Sequence, residues 1–302
     1  MTASDSSHVA GFVALVGRPN VGKSTLLNAI LGRKVSIATR KPQTTRHRIL
    51  GIHHRDDAQI VYVDTPGLHQ GGRTAMNRYL NDAAGSALAD VDLVVMLSEA
   101  NRWLEADDAV LSRLEGINAP VISVLNKVDR LRDKNRLLPR IAEMAERRSF
   151  AAVVPVSASR ADNLDGLEAE IVKHLPAGPP LFPPEQVTDR GERFMVAELL
   201  REQLTLMLGD ELPYASTVEI EALESEGRLR RIAAVIWVER PGQRRIVIGE
   251  GGERIKRIGA AARKEIERCL GVRVYLKTWV KVREGWSDDA RMLQALGYTE
   301  AQ

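Results

Sequence analysis

Cysteine is almost missing from this 302-residue chain: Cys269 stands alone, so no internal disulfide can form and no multi-thiolate metal site can be built. Zinc fingers and iron–sulfur modules are thereby excluded, and a lone thiol beside Leu270 reads as a small packing residue that fits a reducing compartment. Long apolar runs are missing too. The longest, Val91 to Leu97, is broken by Asp92 and falls far short of the ~20 residues that cross a bilayer. Met1 to Ala10 lacks both the basic start and the apolar centre of a secretory signal. No large charge excess of one sign appears overall, with 43 Lys plus Arg against 40 Asp plus Glu, and 44% hydrophobic residues. Disordered, collagenous and disulfide-scaffold classes drop out, leaving an ordinary globular chain whose length suggests two domains.

The near-neutral total hides an uneven distribution. Arg240 to Arg283 holds 13 Lys or Arg and 4 Glu without Asp, a local +9, so the rest of the chain carries −6. So basic a segment points to phosphate-rich nucleic acid or to anionic lipid headgroups.

From residue 9 to 176 short β-rich runs alternate with helical stretches: Phe12–Val16, Ile49–His53, Gln59–Val63, Leu93–Leu97, Val121–Leu125 and Val153–Val156 are predicted strands. That alternation implies an α/β fold with a mostly parallel sheet covered on both faces. The stretch from Leu175 to Glu185 is dense in proline (Pro176, Pro179, Pro180, Pro183 and Pro184), which forbids a helix, and residues 177–189 are expected to be a proline-rich interdomain linker. Residues 190–285 then read α-β-β-α-α-β, a smaller α+β domain, with Trp237 expected in its core, and 286–302 form a tail.

Chemistry enters at Gly17-Arg18-Pro19-Asn20-Val21-Gly22-Lys23-Ser24, followed by Thr25, between a predicted strand and a predicted helix. This matches G-x-x-x-x-G-K-[ST]: Gly17 and Gly22 let backbone N–H groups wrap phosphate oxygens at a helix N-terminus, Lys23 adds a point charge, and Ser24 can ligate magnesium. Asp64-Thr65-Pro66-Gly67, with Leu68 next, ends a predicted strand, where the carboxylate can hold magnesium through water and the Gly67 N–H can sense a γ-phosphate. Gln43-Thr44-Thr45-Arg46 lies between them and offers two hydroxyls, of which Thr45 is taken as the metal ligand. Asn126-Lys127-Val128-Asp129 selects the base, because the Asp129 carboxylate can accept from the two N–H donors that guanine has and adenine lacks. Asn126 can tie this segment to the phosphate loop, and Ser157-Ala158 can supply a backbone N–H to the guanine oxygen.

These strings together resemble the translation-factor-related GTPases, and GRPNVGKS, QTTRHR, DTPGLH and NKVD resemble the Era family within them. The stretch from Gly285-Trp286 to Gly297-Tyr298 is also similar to the end of Era proteins. The resemblance implies a P-loop GTPase domain followed by an RNA-binding KH domain, a site near the 3′ end of small-subunit (16S) ribosomal RNA, and a role in 30S subunit maturation. It also implies a cytoplasmic protein with some association at the inner membrane surface and no DNA partner. Leu68 stands where small regulatory GTPases carry a water-orienting glutamine, so slow intrinsic hydrolysis is expected, with Asn20, Thr45 and Gly67 as candidates for stabilising the reaction and His69 and Gln70 nearby. Relatives with asparagine at the place of Asn20 use potassium where others use an arginine finger, which makes potassium a second expected ion.

In the basic half, Gly249-Glu250-Gly251-Gly252 between two helical stretches resembles the GXXG loop of a type II KH domain, which clamps about four nucleotides. Glu250 is unusual beside phosphate, so contact would rest on backbone N–H groups with Arg254, Lys256 and Arg257 behind them. The last predicted strand puts Arg273, Tyr275, Lys277, Trp279, Lys281 and Arg283 on one face, and its cations are expected at the RNA. The rival reading is a nucleotide-regulated membrane-surface or cell-cycle scaffold whose basic segment binds anionic lipid.

Overall fold

The computed structural model describes residues 8–41, 44–66, 75–86, 88, 90–209, 212 and 215–298. In chain order the first part runs β1 (Val9–Val16), α1 (Lys23–Ile30), β2 (Ile49–His54), β3 (Ala58–Asp64), α2 (Ala75–Ser86), β4 (Leu93–Glu99), α3 (Glu105–Arg113), β5 (Val121–Asn126), α4 (Leu137–Arg147), β6 (Ala152–Pro155) and α5 (Leu164–Val172). Six strands make one sheet in the order β2-β3-β1-β4-β5-β6, parallel except where β2 runs against β3. β3, β4 and β5 are buried along their whole length, which is why they read as unbroken Val, Ile and Leu runs rather than alternating ones. Parallel pairing sends the C-terminal ends of β1, β3, β4 and β5 to one edge, where an α/β sheet places its ligand.

The second part runs α6 (Glu192–Met207), β7 (Ser216–Glu226), β8 (Leu229–Val238), α7 (Pro241–Ile248), α8 (Glu253–Leu270), β9 (Arg273–Val282) and α9 (Ala290–Ala295). Its sheet has the order β7-β8-β9, antiparallel between β7 and β8 and parallel between β8 and β9. Val196, Leu200 and Leu204 of α6, Val247 of α7 and Ile258, Ala262 and Ile266 of α8 pack on Ile232, Ala234, Ile236 and Val274 of the sheet. Helices α6, α7 and α8 thus pack on one face of this sheet, and because Ile258, Ala262 and Ile266 carry the packed side of α8, Cys269, expected as a small packing residue, is instead exposed.

The described residues fall into two compact units. One holds the chain up to Ser36, the stretch from Thr45, and that from Leu80 to Asp189; the other holds Ile37–Thr44, the stretch ending at Tyr79, and the chain from Arg190. Residues 177–189, expected as a linker, lie along the first unit. Leu181 and Phe182 donate their N–H groups to the buried Gln59 Oε1 at 2.6 and 2.9 Å, and Thr188 bridges to Gly51 at the outer edge of β2. Proline-rich chain cannot supply a full ladder, yet it covers an edge that would otherwise present open hydrogen bonds. The segment after Gly285 is equally well packed: Trp286 is fully buried, and the Tyr298 hydroxyl meets Thr217 Oγ1 at 3.0 Å. Among the described residues no helix is long and apolar enough to cross a membrane.

Candidate functional site

The phosphate loop joins β1 to α1 and is shaped by its glycines. Gly22 has φ +113°, and a Cβ there would sit 2.3 Å from Asn126 Nδ2, so both backbone conformation and space demand glycine. Gly17, at φ +151°, would bring a Cβ to 2.6 Å from the Leu97 carbonyl oxygen of β4. The Lys23 ammonium donates to the Gly17 and Arg18 carbonyl oxygens at 2.8 and 3.3 Å, inside the curve of the loop. Burial lowers its pKa to about 8, with the nearby Arg18 adding to the drop and Asp64 opposing it. A polyanion in the loop would reverse that drop, since phosphate favours the ammonium form.

Four oxygen-bearing side chains converge below the loop. Ser24 Oγ donates to Asp64 Oδ2 at 2.7 Å, which leaves Thr45 as the donor in the 2.9 Å Ser24–Thr45 pair, because Ser24 has one proton. Ser36 Oγ also donates to Asp64 Oδ2, at 2.8 Å. Asp64 is fully buried, its Oδ1 has no hydrogen-bond partner, and burial raises its pKa against the pull of Lys23 and the two serines. A buried carboxylate with one unused oxygen beside two hydroxyls fits a hard dication with oxygen ligands, so the donor set suits magnesium. Among the described residues no group of three His, Cys, Asp or Glu could hold a metal instead. Thr65 lies under the loop, its hydroxyl donating to the Leu15 carbonyl at 3.2 Å, and Pro66 follows it. Gly67 and Leu68, with Gln43, His69 and Gln70, lie outside the described residues.

Asn126 ends β5 and makes the connections that its sequence position allows. Its Nδ2 donates to the Val21 carbonyl at 2.8 Å, while its Oδ1 accepts from the Lys127 and Ala158 N–H groups at 2.7 and 3.1 Å. One amide therefore fixes three segments of the candidate nucleotide site. Ser157 Oγ donates to Asp129 Oδ1 at 2.6 Å and orients a carboxylate that keeps a second oxygen for a base. The Lys127 ammonium reaches the Asn20 carbonyl at 2.7 Å, so the stem of this side chain spans from the Asn126–Asp129 segment to the loop between β1 and α1. Asn20 itself sits in the left-handed region at φ 63°.

Sequence reasoning missed Glu99 and Asp107. The Glu99 carboxylate at the end of β4 pairs with Lys127 at 2.5 Å and with Arg18 at 3.2 Å, while Arg18 also donates to Asp107 on α3 at 3.2 Å. Burial pushes Glu99 upward, but its bonds from Lys127 and Arg102 and the Arg18 charge outweigh that and hold its pKa near 2. The one available signal was position: Glu99 terminates a buried parallel strand, next in the sheet to the strand that feeds the phosphate loop.

In the second unit Gly249, Glu250, Gly251 and Gly252 turn the chain from α7 into α8, with φ of 75°, 56° and 81° at the three glycines. A Cβ at Gly249 would lie 2.7 Å from the Arg254 Cβ, a close approach only glycine permits. Arg254 donates to the Ile246 carbonyl at 2.6 Å and so closes the C-terminal end of α7; Lys256 and Arg257 are exposed on the next turn. Arg273, Lys277 and Lys281 do not share this surface. Their side chains leave β9 on the face turned away from the helices, because Val274, Leu276, Val280 and Val282 occupy the packed face. Trp237, expected in the core, projects from that same open face, half-buried, with its Nε1 donating to Glu219 Oε2 at 2.7 Å. The alternation along β9 is legible in the sequence, but β8 is central and apolar on both faces from Ile232 to Val238, which concealed its orientation.

A family model described as a 50S ribosome-binding GTPase matches residues 12–127, and one described as a KH domain matches residues 211–287. GTPase Era of Xanthomonas oryzae is 53% identical over 298 residues, 99% of this chain and 100% of that one. GTPase Era of Pseudomonas fluorescens is 52% identical over 288 residues, 95% of this chain and 96% of that protein. The crystal structure of a tyrosine-to-alanine variant of Aquifex aeolicus Era bound to GDP and aluminium fluoride superimposes with a TM-score of 0.93 at 36% identity, covering 97% of this chain and 100% of that one. An Era structure in complex with MgGDPNP and nucleotides 1506–1542 of 16S ribosomal RNA gives the same score, identity and coverage. With both domains present in order and the likeness running the length of the chain, this protein belongs to the Era family of GTP-hydrolysing enzymes.

Proposed function

We propose that the chain is a guanine-nucleotide switch that binds the 3′ region of 16S ribosomal RNA through its KH domain and acts in the cytoplasm in 30S subunit biogenesis. The observation that carries this reading is the full-length likeness to an Era structure holding MgGDPNP and that RNA together, in a chain that keeps both the phosphate loop and the GXXG turn. On this reading residues 9–176 form the GTPase domain, 177–189 its trailing segment, 190–285 the KH domain and 286–302 the tail.

Residues 17–25 wrap the phosphates and Lys23 neutralises the β- and γ-oxygens. Ser24 and Thr45 hold magnesium directly and Asp64 through water, where the ion withdraws charge from the phosphates. Thr65, Pro66, Gly67 and Leu68 follow the γ-phosphate; Lys127 and Val128 flank the base, Asp129 reads its N–H edge, and Ser157 and Ala158 face its oxygen. Without a side-chain hydrogen-bonder at Leu68 the attacking water is poorly oriented, so turnover is slow until an ion or partner completes the site. Potassium held at Asn20 is the candidate ion, and equal hydrolysis rates in potassium and sodium chloride would remove it.

The reading is tested by titrating the purified chain with a short strand copying the 16S 3′ end and with a scrambled strand, each with a non-hydrolysable GTP analogue and with GDP. Preference for the true strand is expected. Equal, salt-sensitive binding to both strands, together with binding to vesicles containing anionic lipid, would replace the RNA reading with the membrane-surface one.

A further inference from the structure

The open face of the second unit's sheet has no role in a GXXG clamp, yet its composition is not that of ordinary solvated surface. Along β9 it carries Arg273, Tyr275, Lys277, Trp279 and Lys281 in succession, all exposed. Tyr275 and Trp279 are 52% and 37% exposed, an unusual position for rings on a strand that forms the edge of its sheet. Each ring has a cation beside it: the Lys277 ammonium lies 4.9 Å from the Trp279 centroid, and the Arg231 guanidinium 5.6 Å from that of Tyr275. A third such pair, Lys281 at 5.6 Å from Trp237, continues the row onto β8.

Lysines on an edge strand often serve only to discourage pairing with a second sheet. That accounts for Lys277 and Lys281 but not for two exposed rings between them. The acids of this face are on the far strand β7: Glu226 pairs with Arg231, which Glu224 also faces across the strands, Glu221 pairs with Lys281 at 2.8 Å, and Glu219 accepts from Trp237. Arg273 and Lys277 have no carboxylate partner among the described residues, so the β9 side is left positive. Helices on one face and an open sheet with aromatic and basic side chains on the other is the arrangement by which sheet-based RNA modules stack two or three bases. Tyr275 and Trp279, four residues apart on a strand, are separated by about 13 Å. That is room for two stacked bases with Lys277 at the phosphate between them.

We propose that this open face, through Tyr275, Lys277 and Trp279 with Arg231 and Arg273, is a second single-stranded RNA surface, separate from the GXXG loop. It rests on the RNA-binding reading above and extends it: the loop clamps about four nucleotides, and a longer strand continues over the aromatic face.

The test uses the full chain in four forms: unchanged, Gly251→Asp, Tyr275→Ala with Trp279→Ala, and Tyr275→Phe with Trp279→Phe. Each is titrated with a labelled 5-nucleotide and a labelled 20-nucleotide strand copying the 16S 3′ end. The expected result is that the alanine pair binds the short strand as the unchanged chain does but the long strand about 10- to 100-fold more weakly, stacking being worth about 1–3 kcal/mol per base. The phenylalanine pair keeps its rings and retains most of the long-strand affinity. Gly251→Asp loses the short strand and keeps measurable affinity for the long one. Unaltered long-strand binding by the alanine pair, in a chain that binds both strands, overturns the second surface while leaving the first reading intact. Failure of the unchanged chain to bind either strand overturns both. Melting temperature and GTP affinity, expected to be unchanged in the alanine pair, separate misfolding from lost contact.

Discussion

Glu99 shows how one side chain can tie several segments of a site together. Its carboxylate joins Lys127, next to Asn126, to Arg18 of the β1–α1 loop, residues 109 positions apart in the chain, and sits almost wholly out of solvent. Because its pKa is held near 2 in the folded chain against an ordinary 4.5, the folded state binds this proton less readily than the unfolded state. The stability it contributes is therefore complete above about pH 4.5 and is lost as pH falls from there toward 2. Urea-unfolding midpoints measured from pH 5.5 down to pH 3 should fall less steeply for Glu99→Gln than for the unchanged chain. Parallel slopes would mean that other carboxylates carry the acid sensitivity. Asn126 makes the complementary point. Its role as a tie between loops follows from its place at the end of a buried strand, whereas nothing in the local sequence marks Glu99 as more than a polar strand end.

Helix α6 is the element whose burial departs furthest from its sequence pattern. Spacing from Phe194 to Leu208 predicts one apolar face, and Val196, Leu200 and Leu204 do fill the core, yet Glu198, Arg201, Glu202 and Thr205 are buried as well. The segment Ile37–Thr44 of the same unit accounts for this. Ala38 N–H donates to Glu202 Oε1 at 3.2 Å, Lys41 Nζ donates to the carbonyls of Leu208 and Gly209, and Arg201 donates to the Thr44 carbonyl while gripping Glu198 at 2.6 and 2.7 Å. Replacing Arg201 by Met strips a buried carboxylate of its bidentate partner, which costs about 3–5 kcal/mol, whereas adding Glu198→Leu should restore most of that stability. Both variants leave the Thr44 carbonyl without this donor, one residue before Thr45. The ratio of GTP-analogue to GDP affinity should fall about tenfold in both, so nucleotide titration alongside urea unfolding separates loop anchoring from bulk stability; a double variant with a normal ratio would show that the anchor is only structural. Such long-range pairings are what the sequence hid. The six strands of the first sheet were readable because buried parallel strands are runs of Val, Ile and Leu, and the GRPNVGKS, DTPG and NKVD strings because their spacing is local. β1 nevertheless starts at Val9 and not Phe12, its extent being set by pairing with Ala58 of β3. The burial of polar α6 residues and the docking of residues 177–189 on Gln59 likewise depend on partners more than 100 positions away.

Over the whole molecule, charge and chemistry are divided between the units. The nucleotide motifs lie in the part of the chain that carries −6, and the buried Lys23, Asp64 and Asn126 work there through short, desolvated contacts. The +9 segment supplies exposed cations instead: Lys256 and Arg257 behind the GXXG turn, Arg273 and Lys277 on the open face. Exposed cations bind phosphates largely by releasing counterions, so the two ligands should respond differently to salt. If these four side chains each meet one phosphate of a single strand, log affinity should fall with log salt at a slope of about −3, or about 50-fold between 50 and 200 mM. GTP affinity over the same range, with magnesium fixed, should change by less than about threefold, since screening reaches buried pairs weakly. Removing two of the cations, as Lys256→Gln with Arg257→Gln, should flatten the RNA slope by about 1.4 and leave the GTP curve where it was. A slope that does not change on losing both would take those two residues out of the RNA contact and leave the phosphate neutralisation to other cations.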